Sequence, residues 1–151
     1  VNLAARLVAI GESRPPDFVI GGDERPYMYR WFLIPRNRWF NVYLHRFYRS
    51  DDDRALHDHP WFNVSILLRG SYVEHSILAG GIHRHVPRKA GAFKFRAPWT
   101  AHRIEIAEPC WTLFLTGPVV REWGFHCEAG WRPWREFVDE RDSGAIGRGC
   151  A

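Results

Sequence analysis

Three histidines carry the chemistry this sequence offers most plainly. His57 and His59 stand two residues apart in His57-Asp58-His59-Pro60, at the opening of an extended run. Side chains two apart on a strand point to one face, so both imidazoles project together, as two ligands of one ion must. The same parity continues through Trp61, Asn63, Ser65, Leu67 and Arg69, a mixed face suited to lining a cavity. The other parity, Phe62, Val64, Ile66 and Leu68, is wholly apolar. His102 comes much later, after a glycine turn at Gly91 and a proline turn at Pro98. Three imidazoles plus water make the pattern of a reactive metal centre more than of a closed structural one.

To converge, these histidines need a scaffold that folds distant segments onto one another. From Tyr27 onward, short aromatic and β-branched runs alternate with turn residues. Strands are predicted at 27–34, 38–49, 60–69, 71–77, 82–88, 92–97, 102–106 and 111–116. Pro35-Arg36-Asn37 separates the first two, and Gly80-Gly81 marks a hairpin. Such a series suggests a sandwich, jelly roll or small barrel. Before it, Leu3, Ala4, Leu7 and Val8 form one helical stripe over 2–10, with Gly11 as its C-terminal cap. After it, Pro133 opens a second predicted helix whose Trp134, Phe137 and Val138 share a face. One domain results: a helix and lead-in over 1–26, a barrel over 27–127, a helix packed on it over 128–142, and a frayed tail over 143–151.

Both histidine segments resemble the motifs of the cupins. The first cupin motif runs H-x-H, a short gap, a glutamate, and then a glycine. His57 and His59 match it, position 63 falls in the glutamate slot, and Gly70 closes it in register. The second runs glycine, strand, proline turn and histidine, matched by Gly91, Pro98 and His102. The resemblance covers residues 43–117 and is closest to small single-domain cupins of unassigned activity. It implies an all-β, cupin-type antiparallel jelly-roll barrel with a short helix at each end. Two departures stand out. Asn63, a neutral amide, occupies the acidic slot, and the second motif lacks the glycine after its proline. The resemblance thus implies a three-histidine site with open positions, Asn63 being at best a weak fourth ligand. One divalent transition metal (iron, zinc, nickel or manganese) is the expected cofactor. Imidazole also suits copper, and ligand type alone does not choose the ion.

Other residues have bland and functional readings side by side. His45 shares parity with Asn41 and Tyr43, so it reads as a cavity base, an added ligand or simply a hydrogen-bonded histidine. Tyr43 and Arg69 are candidates to orient substrate, the arginine by gripping a carboxylate or phosphate. His83 and His85 repeat the H-x-H spacing without a partner motif and read as an exposed strand. Asp51, Asp52 and Asp53 read as a solvated loop, one of whose carboxylates could orient a ligand histidine. Cys110 reads as a small buried hydrophobe.

The composition sets outer bounds. The 151 residues carry a net charge of +4, with arginines scattered singly among acids, so nucleic acid is not an expected partner. No run has the length of a membrane span or the layout of a signal peptide. Three cysteines, an odd number without short spacing, argue against a disulfide framework and for a reducing cytoplasm. The apolar parity of 60–69 needs a cover, which predicts a homodimer unless the N-terminal helix supplies it. Function is read as a metal-dependent enzyme acting on a small molecule, with a dioxygenase-like three-histidine centre. The alternatives are a sugar isomerase or epimerase, for which Arg69 and Arg103 would bind phosphate, and a non-enzymatic ligand-binding module.

Overall fold

Alternation of inward and outward side chains, broken by a bulge between Leu67 and Arg69, builds two antiparallel sheets. The computed structural model describes residues 2–51, 55–142 and 144–151. Asp52 and Asp53 of the acidic run therefore lie outside the described residues. Helix α1 (Leu3–Ser13) leads into β1 (Phe18–Ile20), β2 (Met28–Phe32), β3 (Asn41–Phe47), β4 (Leu56–His57) and β5 (Asn63–Arg69). Then come β6 (Ser71–Leu78), β7 (Ile82–Lys89), β8 (Phe93–Arg96), β9 (His102–Glu105) and β10 (Cys110–Thr116). A last hairpin, β11 (Gly124–Cys127) and β12 (Gly130–Pro133), ends in the single turn α2 (Trp134–Phe137). One sheet has the order β1-β2-β3-β10-β5-β8 and the other β12-β11-β4-β9-β6-β7. All eight predicted strands are present, and β1, β4, β11 and β12 are additions.

The first sheet is apolar on its outside because α1 packs there. Trp31, Leu44 and Trp111 come from the outward parity of β2, β3 and β10 and bury against Val8 of the helix, with Leu68 beside them. Their neighbours Arg30, His45 and Thr112 take the opposite parity and line the interior cavity. A second cluster joins Leu67, Tyr72, Ile104 and Cys110, with Tyr72 and Ile104 also lining the cavity. Helix α1 thus covers part of the apolar face predicted for 60–69. Phe62, Phe93 and Phe95 on the same outer surface stay exposed, Phe62 stacking on Phe95.

Four expectations need correction. Asn2, whose side chain accepts from the Ala5 N–H, starts α1, and the helix runs through Gly11 to Ser13. Gly11 is no cap; a Cβ there would sit 2.4 Å from the Trp111 ring. The H-x-H does not open the long strand either. His57 ends β4 in one sheet, and the chain crosses through Asp58, His59 and Pro60 before β5 starts in the other. The C-terminal helix is only one turn, because 130–133 pairs as a strand with β11.

The fourth concerns the cysteines and the tail. Cys127 and Cys150 form a disulfide across 23 residues, with Cα atoms 5.5 Å apart. The tail is fastened, not frayed: the Gly147 and Gly149 N–H groups donate to the Phe137 carbonyl, and Ile146 bridges Val138. Nothing in the spacing announced this pair, because the return of the chain after α2 makes it.

Two outcomes follow. Gly11→Ala improves helix propensity but drives a methyl into Trp111, and urea unfolding is expected to show a net loss of about 1–2 kcal/mol. Cys150→Ser frees the tail, and thermal or urea unfolding should show a loss of about 3 kcal/mol, reproduced in the parent protein by reductant.

Candidate metal centre

The pairing of β4 with β9 sets His57 directly opposite His102. His59 joins them from the crossing segment, where its N–H donates to the Pro98 carbonyl at 3.0 Å. The triad's ligand nitrogens lie within 4.8 Å of one another, and His59 Nε2 and His102 Nε2 are 3.0 Å apart. Burial pushes all three imidazoles below their ordinary pKa, those of His59 and His102 well below. Neutral rings are the form that ligates, so the donor set fits a borderline divalent cation. Its rings face a cavity of about 600 Å³ between the two sheets.

Carboxylates stand behind two of the three histidines. Asp51 accepts from the Ile104 N–H at 2.6 Å and from the Tyr27 hydroxyl, and its Oδ2 stands 3.9 Å from His57 Nδ1. The orienting role is therefore the one its position favours, rather than a solvated loop. Asp58 points the opposite way from its two histidine neighbours and is 1% exposed. It accepts from the Gly124 N–H at 2.8 Å, Trp131 Nε1 at 2.9 Å and His126 Nε2 at 3.1 Å, and pairs with Arg121 at 2.8 Å. That bundle ties the β11–β12 hairpin to the histidine segment.

Glu74, on β6, lies 3.5 Å from His102 Nδ1, a nitrogen with no hydrogen bond. Its carboxylate accepts from both Arg96 and Arg88. Burial would raise the Glu74 pKa, but the Arg96 and Arg88 guanidiniums together outweigh it and keep the group below its usual range. Asn63 is fully buried and accepts from Arg96 Nη1 at 3.3 Å, and it does not reach the cavity wall. The amide in the acidic slot is thus engaged by an arginine.

The other predicted site residues divide. His45 lines the cavity, and Arg30 Nε donates to its Nε2 at 2.9 Å. Because a guanidinium only donates, Nε2 must carry the lone pair, which leaves the proton on a buried, unpartnered Nδ1. Burial, with Arg30 adding to it, holds His45 well below its ordinary pKa. Tyr43 lies behind this pair, stacked on His45 with the Arg30 guanidinium 4.7 Å above its ring. Arg69 is on the outer surface, bonded to Glu12 of α1 at 2.7 Å, and cannot grip a cavity ligand. A β-bulge between Leu67 and Arg69 breaks the alternation there, so Arg69 pairs with outward Trp111 instead of keeping the inward parity predicted for it. Arg103 also points outward, toward His75 and Glu105. His83 and His85 are exposed, as expected, and burial pushes the Cys110 thiol up to about 12, so it is inert.

Arg30, Arg96 and Glu74 were not singled out by sequence. Arg30 lies two residues from Met28 and Phe32 on the inward parity of β2, a signal that periodicity carries once the cavity face is known.

Comparison with known proteins speaks through shape. No protein-family model matches the chain, and no curated protein does. Solved structures do match. A cupin superfamily protein of Desulfitobacterium hafniense aligns at TM-score 0.52 and 10% identity over 78% of this chain and 89% of that one. The fold is that of the cupins. The Fe(II) form of HppE aligns at TM-score 0.52 and 14% identity, over 68% of this chain and 58% of its own. Bacillus subtilis oxalate decarboxylase, studied for its Mn(II) centres, aligns at TM-score 0.53 and 16% identity over 76% and 30%. The chain spans under two thirds of the length of those two proteins. Among the described residues, no helix is long and apolar enough to cross a membrane.

Removing the Asp58 carboxylate strands several donors at once. Asp58→Ala is expected to cost about 2–3 kcal/mol in chemical denaturation, and hydrogen exchange should show the hairpin 124–133 loosening first.

Proposed function

We propose that this chain is a mononuclear metal-dependent enzyme acting on a small molecule, with His57, His59 and His102 as the protein ligands. The observation that carries the reading is the convergence of three neutral imidazoles at one wall of a 600 Å³ cavity. A divalent ion there would supply Lewis-acid or redox chemistry at the positions the protein leaves open. Asn63, held by Arg96, leaves no acidic fourth ligand from the first motif, which favours the three-histidine, dioxygenase-like centre. Asp51 would fix the orientation of His57, and Glu74 would stand behind His102. Trp61, Phe114 and Phe125 would keep bulk water from the reacting atoms.

The sugar isomerase reading loses its phosphate cluster, since Arg69 and Arg103 both face outward. The ligand-binding module stays as the outcome opposed to catalysis. A homodimer belongs to the proposal too, with Phe62, Phe93 and Phe95 as the surface that it would bury; light scattering reads it.

Elemental analysis of the purified protein should find about one transition-metal ion per chain, and oxygen uptake should appear with members of a panel of thiols, diketones and phenols. His57→Ala and His102→Ala should each abolish stoichiometric metal while the far-ultraviolet spectrum is retained. A protein that binds no metal overturns the proposal; metal without turnover points to the binding module.

A further inference from the structure

Arg30 is a cation facing an interior cavity with no anion among the described residues to answer it. Its Nε is used by His45, and its guanidinium carbon lies over the Tyr43 ring. Among the described residues no carboxylate stands within ion-pair distance of it, and no side chain or carbonyl accepts from its two terminal nitrogens. The lining as a whole has the same imbalance. Arg30, Arg36 and Arg96 contribute to the wall, and Asp51 is the one carboxylate among the described lining residues. Asp51 is already taken by Tyr27 and Ile104, and Arg96 is answered from outside the cavity by Glu74. Arg36, at the exposed end, adds a second charge that repels Arg30. Burial lowers the Arg30 pKa, the direction expected of a desolvated guanidinium without a counter-ion.

Desolvating a cation costs several kcal/mol unless something compensates. The rest of the structure holds Arg30 in place while leaving its forked end open. The Nη1 and Nη2 pair is the edge that meets an oxyanion through two parallel hydrogen bonds. Around it the wall is apolar, with Phe18, Ile20, Met28 and Phe47 contributed by the same sheet. A cavity of about 600 Å³ is far larger than a bare carboxylate needs.

We infer that the cavity binds an organic anion, a carboxylate or phosphonate head on an apolar body, with the head on the open fork of Arg30. The inference rests on the reading of the cavity as a substrate site, and it adds the class of molecule. It moves the anion-gripping role from Arg69, where strand parity placed it, to Arg30. Tyr43 and His45 become positioning residues that hold the guanidinium in place and fix its rotation. The metal triad would meet the body of the ligand, not its charged head.

The test separates charge from shape and uses metal-free protein, so that it stands apart from the metal proposal. Isothermal titration would compare 3-phenylpropionate, 2-phenylethylphosphonate and the neutral 3-phenylpropanamide. At least one acid should bind about tenfold or more tightly than the amide, and the tighter acid identifies the head group. Arg30→Gln should abolish that preference without weakening the amide, Arg30→Lys should restore part of it, and Arg69→Gln should change nothing. Equal binding of acids and amide by the parent protein overturns the inference, as does absence of binding by all three. So does a preference that survives in a folded Arg30→Gln protein. Loss of fold in that variant leaves the acid-to-amide ratio of the parent as the deciding measurement. A failure to bind metal would sink the enzymatic reading while leaving this result untouched.

Discussion

The buried carboxylate of Asp58 is the fastening on which the rest of the site depends. It lies between two histidines in sequence and faces away from both, into a nest of one backbone N–H, an indole, an imidazole and a guanidinium. Each donor comes from the segment 121–131, so one side chain draws the last hairpin against the edge of β4. Without those donors a fully buried carboxylate would be very costly, and with them it is committed to one orientation. The histidines on either side then have no choice but to face the cavity. Local alternation and a distant hydrogen-bond cluster thus enforce the same geometry.

A second polar group supports the opposite end of the triad. Glu74, Arg96, Arg88 and Asn63 form a buried network reaching from β6 across to β8 and β5. Two arginines share one carboxylate, so the network retains positive charge on the side that faces the cavity. Asn63 Nδ2 remains without a partner, an uncommon expense for a fully buried amide. An acid at that position would pair with Arg96 directly and would compete with Glu74 for it. The neutral amide lets Arg96 keep Glu74, and Glu74 stays beside His102.

Much of this was legible before any coordinates. Alternation in 60–69 separated inward Asn63, Ser65 and Leu67 from outward Val64, Ile66 and Leu68, and glycine and proline turns marked the two histidine segments. What periodicity cannot give is a break in the alternation: Arg69 follows inward Leu67 by two residues, yet a bulge sets it opposite outward Trp111. Nor does it reveal pairs made by chain return. Cys127 and Cys150 meet only because the tail doubles back over Phe137, and Arg30 becomes distinctive only when its described neighbours are seen to lack a carboxylate. Gly11 misled for a related reason. A glycine near a helix end usually serves the backbone, whereas this one makes room for an indole from another element.

The shared backbone of β2, β3 and β10 has one more consequence. Trp31, Leu44 and Trp111 press outward against α1, and the residues next to them in sequence, Arg30, His45 and Thr112, point into the cavity. The hydrophobic layer and the polar pocket are therefore two sides of a single membrane-thin wall, one peptide deep. A wall of that thickness has no slack: whatever shifts an indole outside displaces a guanidinium or an imidazole inside by a comparable amount. The helix that looks like mere cover is, mechanically, the backing plate against which the pocket keeps its calibration.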